Sequence, residues 1–137
     1  ADYKFEIGKG VTLREGSDCS IIATGLCVSE ALAAADTLAE QGIHAEVINI
    51  HTIKPLDEEL VVKTAKKTGR VFTVEEHSII GGLGAAVAEM LGEKCPTKIT
   101  RIGVNDVFGE SGPAKELLHK YELDAEGIAN RILREMK

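Results

Sequence analysis

The stretch Cys19-Ser20-Ile21-Ile22-Ala23-Thr24-Gly25 decides the architecture. Its β-branched, apolar centre shows no polar alternation and it ends on a glycine, the pattern of a strand covered on both faces. A central parallel strand needs a crossover connection behind it, commonly a helix. The next segment supplies one, because Leu32, Ala35, Leu38 and Ala39 recur at helical spacing, Ser29 is a candidate N-cap, and Gly42 stands where a left-handed C-terminal residue is wanted.

The unit then repeats. Ala45 to Ile50 reads as a second strand, and Asp57 caps a helix ending near Gly69, with Leu56 and Val61 placed to form a hydrophobic staple across the cap. Pro55 biases Lys54 toward an extended conformation, so that helix cannot begin earlier. Arg70 to Glu75 makes a third strand, ahead of a helix with Leu83, Val87, Met90 and Leu91 on one face, and Lys98 to Gly103 makes a fourth. Upstream, Val11 to Glu15 alternates weakly and meets the Gly16-Ser17-Asp18 turn, as a short antiparallel edge strand would. Downstream, Pro113 opens a helix carrying Ala114, Leu117, Leu118 and Tyr121 on one face, and Asp124 caps a last helix with Ile128, Ala129, Ile132, Leu133 and Met136. Strands alternating with helices predict an α/β domain, a mostly parallel sheet between two helical layers. Residues 1–10, with Gly8 and Gly10, read as an arriving linker, and residues 11–137 as one domain.

Composition narrows the function. With 44% hydrophobic and 28% charged residues, the 137-residue chain matches an ordinary globular domain and not a disordered or fibrous one. A net charge of -6 would repel a phosphate backbone, and the one basic cluster, Lys63, Lys66 and Lys67, shares a helix with Glu58 and Glu59 and reads as a solvated face. Nucleic acid is not an expected partner. Neither is a membrane, since no apolar run approaches the length of a span and no secretory leader is visible. Cys19, Cys27 and Cys95 form no CxxC pair and show no even-numbered disulfide framework, which points to a reducing cytoplasm.

In an open α/β sheet, ligands gather beyond the carboxyl ends of the strands. The richest such segment is Glu75-Glu76-His77-Ser78-Ile79-Ile80-Gly81-Gly82-Leu83-Gly84, where carboxylates and an imidazole lead into three glycines at a helix start. Exposed N–H groups and the helix dipole there could hold an anion. As a dinucleotide fingerprint the segment fails, since its glycines stand too far from the strand and Val87 occupies the last small-residue position. The plainer reading is that Gly81, Gly82 and Gly84 allow a tight turn and close helix contact while Glu76 and His77 make local hydrogen bonds. Cys27 follows a strand end but has no nearby histidine in sequence to act as its base, so it reads as a buried thiol. His44, His51, His77 and His119 lack metal-ligand spacing. The segment Asn105 to Gly112 suits either a surface loop or a recognition loop.

Three segments together, Ile53-Lys54-Pro55-Leu56-Asp57, Glu75-Glu76-His77 with Gly81-Gly82-Leu83-Gly84, and Gly103-Val104-Asn105-Asp106-Val107-Phe108-Gly109-Glu110-Ser111-Gly112, resemble the C-terminal domain of transketolases, especially the type encoded in two sections. The opening Phe5-Glu6-Ile7-Gly8-Lys9-Gly10 is similar to the linker from the preceding pyrimidine-binding domain. Beta subunits of 2-oxo-acid dehydrogenases and deoxyxylulose-phosphate synthases share much of this pattern, but the Phe108 to Pro113 run resembles transketolase more. His51 stands where many members carry Arg.

The resemblance implies a three-layer α/β/α sandwich with a five-stranded mixed sheet of order 1-3-2-4-5 and an antiparallel first strand. It also implies a parent transferase of the pentose phosphate pathway that moves two-carbon ketol units between sugar phosphates, using thiamine diphosphate and a divalent metal such as magnesium. Those ligands belong to the pyrimidine-binding and diphosphate-binding domains, and the diphosphate signature, Gly-Asp-Gly with paired Asn beyond it, is missing from this sequence. The expectation is therefore no catalytic, cofactor-binding or metal residue in this chain, and an inert isolated fragment. Its implied role is assembly, with the other domains and a homodimer partner, and regulation. Glu75, Glu76, His77, Gly81, Gly82 and Gly84 are the candidate anion or inter-domain contact loop. A freestanding anion-binding module, or a dehydrogenase domain that docks a partner enzyme, is the rival expectation.

Overall fold

The structure, a computed structural model, describes residues 8–25, 27–51, 53, 55–78, 82–104 and 123–136, and of 77, 78 and 104 the backbone alone. Five strands, β1 (Val11–Arg14), β2 (Cys19–Ala23), β3 (Ala45–Asn49), β4 (Arg70–Ser78) and β5 (Lys98–Val104), form one sheet in the order β1-β3-β2-β4-β5. β1 runs antiparallel to β3, and the other neighbours are parallel, with Ile21 opposite both Val47 and Phe72. The α/β class, the strand order and the antiparallel edge are those expected.

Every residue of β2 is buried, because helices cover both sides of it. Alternation along the strand sorts its side chains between two cores. Ile21, Ala23, Val47 and Phe72 face α1 (Cys27–Glu40) and α4 (Ala125–Met136), meeting Leu38, Ile128 and Ile132. Ile22, Ile48 and Val71 face α2 (Glu58–Thr68) and α3 (Leu83–Lys94), meeting Val61, Leu83, Val87 and Leu91. Each such aliphatic side chain, fully removed from water, contributes about 1.5–3 kcal/mol.

Local chemistry ends the helices as the sequence predicts. Gly42 adopts φ 82°, and the Ile43 N–H donates to the Leu38 carbonyl at 2.9 Å, a Schellman closure with both side chains in one core. Asp57 accepts from the Leu60 N–H at 3.2 Å, and Gly69 closes α2 at φ 72° with its N–H on the Ala65 carbonyl at 2.8 Å. Asp124 accepts from the Gly127 N–H at 3.0 Å to cap α4. The start of α1 differs from expectation: the helix begins at Cys27 rather than behind a Ser29 cap. Gly25, at φ 61°, turns the chain early, and the Cys27 and Val28 N–H groups then donate to the Thr24 and Gly25 carbonyls at 3.3 Å.

The lysine cluster is also less uniform than a solvated face. Lys67 donates to Glu46 of β3 at 2.6 Å, and Thr64 donates to the same carboxylate at 2.6 Å. Glu46 is thereby buried with its charge satisfied, tying α2 to the sheet. The expected helix from Pro113 to Tyr121 and the loop from Asn105 to Gly112 lie outside the described residues.

Candidate functional site

The site is the cluster of loops and helix starts beyond the carboxyl ends of β2 and β4. β4 continues through Ser78, which pairs with Val104 after a register shift, so Glu75, Glu76, His77 and Ser78 belong to the strand and not to a loop. Successive side chains in a strand point to opposite faces, and the two adjacent carboxylates accordingly diverge.

Glu75 turns toward α3. It is 1% exposed, and its Oε1 and Oε2 accept from the N–H groups of Leu83 at 2.8 Å and Gly84 at 2.7 Å. Gly82, the N-cap residue, has no side chain to offer those donors. The helix N-terminus that the sequence marks as an anion cradle is therefore filled by an anion of the protein itself. A diphosphate does not fit there without expelling Glu75.

Glu76 turns toward α1. A Cβ on Gly25 would stand 2.3 Å from its Oε1, so the carboxylate lies directly against the Gly25 backbone. Burial, followed by the charge of Glu76 and a hydrogen bond to it, pushes the Cys27 thiol well above its ordinary pKa, and Glu30 and Glu75 add to the effect. Such a thiol stays protonated and is a poor nucleophile. Glu30 has a second task, accepting from the Ala125 N–H at 2.9 Å at the start of α4. Sequence reading missed the Cys27–Glu76 and Glu30–Ala125 contacts; the positive-φ glycine after β2 was the one local sign that something packs closely there.

Gly84 shows why a glycine is needed in the first turn of α3. A Cβ would lie 2.8 Å from Thr73 Oγ1 and 2.9 Å from Arg101 Cγ and Cδ. His77 is placed by its backbone within β4, Gly82 precedes α3, and Gly81 lies outside the described residues. Among the described residues no group of His, Cys, Asp and Glu side chains could hold a metal ion, and no helix is long and apolar enough to cross a membrane.

A shallow groove of about 330 Å³ separates the start of α2 from α3, with Ile53, Leu56 and Met90 among its lining residues. Glu58, Glu89 and Glu93 also line it, and among the described lining residues the single cation, Lys94, is paired with Glu58. That charge disfavours a sugar phosphate.

The same architecture is found in known proteins. The family model for the transketolase C-terminal domain matches residues 8–128. A 6-deoxy-6-sulfo-D-fructose transketolase subunit of Clostridium sp. (strain MSTE9) is 55% identical over 125 residues, covering 91% of this chain and 39% of that protein. A 1-deoxy-D-xylulose-5-phosphate synthase of Geobacter sulfurreducens is 46% identical over 125 residues, covering 90% of this chain and 20% of that protein. A solved structure titled a split gene transketolase, inactive beta4 tetramer, superposes with a TM-score of 0.91 at 47% identity, covering 98% of this chain and 44% of that one. The chain thus spans less than half the length of these relatives. The strand order with its antiparallel edge, the family match over most of the chain and the close superposition agree, and the chain belongs to the transketolase C-terminal domain family.

Proposed function

We propose that this chain is the C-terminal assembly domain of a transketolase whose other domains carry the chemistry. In that parent enzyme, thiamine diphosphate and a divalent metal supply the chemistry of two-carbon ketol transfer between sugar phosphates, and both are held by the pyrimidine-binding and diphosphate-binding domains. This domain packs on them and on a homodimer partner in the cytoplasm. Residues 8–10 are the end of the linker that delivers it, and the Glu75 to Gly84 segment is the inter-domain contact.

The observation that carries the reading is the Glu75 carboxylate on the Leu83 and Gly84 N–H groups, which commits the best anion-binding position of the fold to internal structure. Titration calorimetry of the isolated chain with thiamine diphosphate and magnesium should give no saturable heat; one-to-one micromolar binding would make it a cofactor module instead. Deleting the domain from the parent enzyme should weaken the dimer while leaving ketol transfer per assembled site within about tenfold, a barrier change of ~1.4 kcal/mol.

A second reading, a deoxyxylulose-phosphate synthase parent, draws on the 46% identical synthase. Assaying the parent enzyme for ketol transfer against pyruvate condensation separates the two.

A further inference from the structure

We propose that the groove between the start of α2 and α3 is a docking site for a segment of another polypeptide that carries arginine or lysine beside an aliphatic anchor. The proposal goes beyond the assembly reading and does not depend on which reaction the parent enzyme performs.

The floor of the groove is the margin of the core that α2 and α3 share with the sheet. Ile53 and Leu56, both half-buried, pack against that core from the turn ahead of α2, and Met90 belongs to it from α3. A volume of about 330 Å³ is at the small end of ligand pockets, room for an anchoring side chain and not for a large ligand. Met90 suits such a floor, because an unbranched thioether adapts to the shape set on it.

The rim supplies the charge. Glu58, Glu89 and Glu93 are all exposed there. Lys94 is ion-paired with Glu58, which leaves Glu89 and Glu93 without a salt bridge among the described residues. Both belong to α3, four residues apart, where like charges repel, and Glu93 sits in the last turn, where the helix dipole disfavours an anion. The charges of the two carboxylates thus work against the helix that carries them, and a cation brought from outside relieves both. An apolar floor under an anionic rim selects the occupant. A phosphate-bearing ligand is repelled, a small hydrated cation leaves the floor unused, and a second copy of this chain, at a net charge of -6, meets the rim with the wrong sign. A cationic segment with an aliphatic side chain satisfies both parts at once, the side chain entering the groove while its charges pair with the carboxylates above.

The test is made in the parent enzyme, by fluorescence anisotropy with a short labelled peptide that carries leucine on one face and arginine beside it, at about 0.15 M salt. Binding should saturate at one peptide per chain. Glu89→Lys combined with Glu93→Lys should weaken it at least tenfold, and the milder pair Glu89→Gln and Glu93→Gln, which melts of both variants accompany, should weaken it severalfold. Glu40→Lys serves as the control, an exposed charge reversal at the end of α1 in the opposite helical layer, and should leave the affinity within twofold. A peptide with serine in place of leucine should bind at least tenfold more weakly. The absence of saturable binding to the parent enzyme overturns the proposal. So does an equal loss in Glu40→Lys, which would show attraction to net charge alone, or equal binding of the serine peptide, which would show a charged surface and no groove. Lys54, outside the described residues, is tested by Lys54→Ala: unchanged affinity supports the proposal, and a tenfold gain would mean that the chain's own lysine already holds the rim and would overturn it.

Discussion

Asp57 Oδ2 accepts a 2.9 Å hydrogen bond from the Gly10 N–H, forty-seven residues earlier in the chain, while its Oδ1 caps α2 through the Leu60 N–H. The residue that the Lys-Pro-Leu-Asp pattern marks as a helix cap is thus also the anchor of the arriving segment. Gly10 is needed there because a Cβ would sit 2.6 Å from Ile50 Cδ1 and 2.9 Å from Leu60 Cδ2.

Asp57→Ala should therefore cost more than an ordinary cap. Loss of the cap alone is worth about 1 kcal/mol, and the unpaired Gly10 N–H adds to it. Urea unfolding should show the loss, and limited proteolysis should show faster cleavage before residue 11. Wild-type cleavage rates in the variant would mean that Asp57 does not hold the linker.

Two glycines of the same helix should respond in opposite directions. Gly84→Leu forces a side chain onto Thr73 and Arg101 and should destabilise by more than ~1 kcal/mol. At Gly92 a Cβ would meet nothing within 4 Å, so alanine there should gain about 0.5–1 kcal/mol, since only backbone entropy is at stake. Thermal melts of the two variants decide the point; a destabilised Gly92→Ala would contradict it.

Acid should weaken the fold through Glu46. Burial opposes its charged form, but the bonds from Lys67, Thr64 and Gly16 outweigh burial and hold the carboxyl below its ordinary value of 4.5. A carboxyl depressed in the folded state binds fewer protons there than in the unfolded chain. Its contribution is complete above the unfolded value and is lost as the pH falls through the lower folded one. Glu46→Gln should remove that part of the acid limb, so its stability should fall less steeply below 4.5 than wild type. Urea midpoints across that pH range test it, and parallel acid limbs would refute it.

Thiol labelling should separate the three unbridged cysteines. Burial, with Asp18 beside it, pushes the Cys19 pKa up to about 11, and Cys27 is raised further by burial and Glu76. Cys95 is only half-buried. The native protein should therefore show one fast-reacting thiol with Ellman's reagent near neutral pH, and Cys95→Ser should abolish that phase. A second fast phase assigned to Cys27 would show an exposed thiolate at the strand ends.

The sequence by itself determined the layers. The unbroken apolar run of β2, the helical spacing of Leu32 to Ala39, the Asp57 and Asp124 caps, and the glycines at 42 and 69 all act within a few residues, so they can be read without knowing the fold. The family likeness followed from the same local motifs. What only the tertiary structure decided is the meaning of Glu75 and Glu76. Their partners, the α3 N–H groups on one side and Gly25 with Cys27 on the other, are brought to them by sheet pairing and helix packing. The alternation of a strand sends the two neighbours to different layers, and burial makes the two hydrogen bonds of Glu75 obligatory. A segment that reads as an open anion cradle is for that reason occupied from within, because buried N–H groups must find an acceptor and the fold already carries a carboxylate within reach of them.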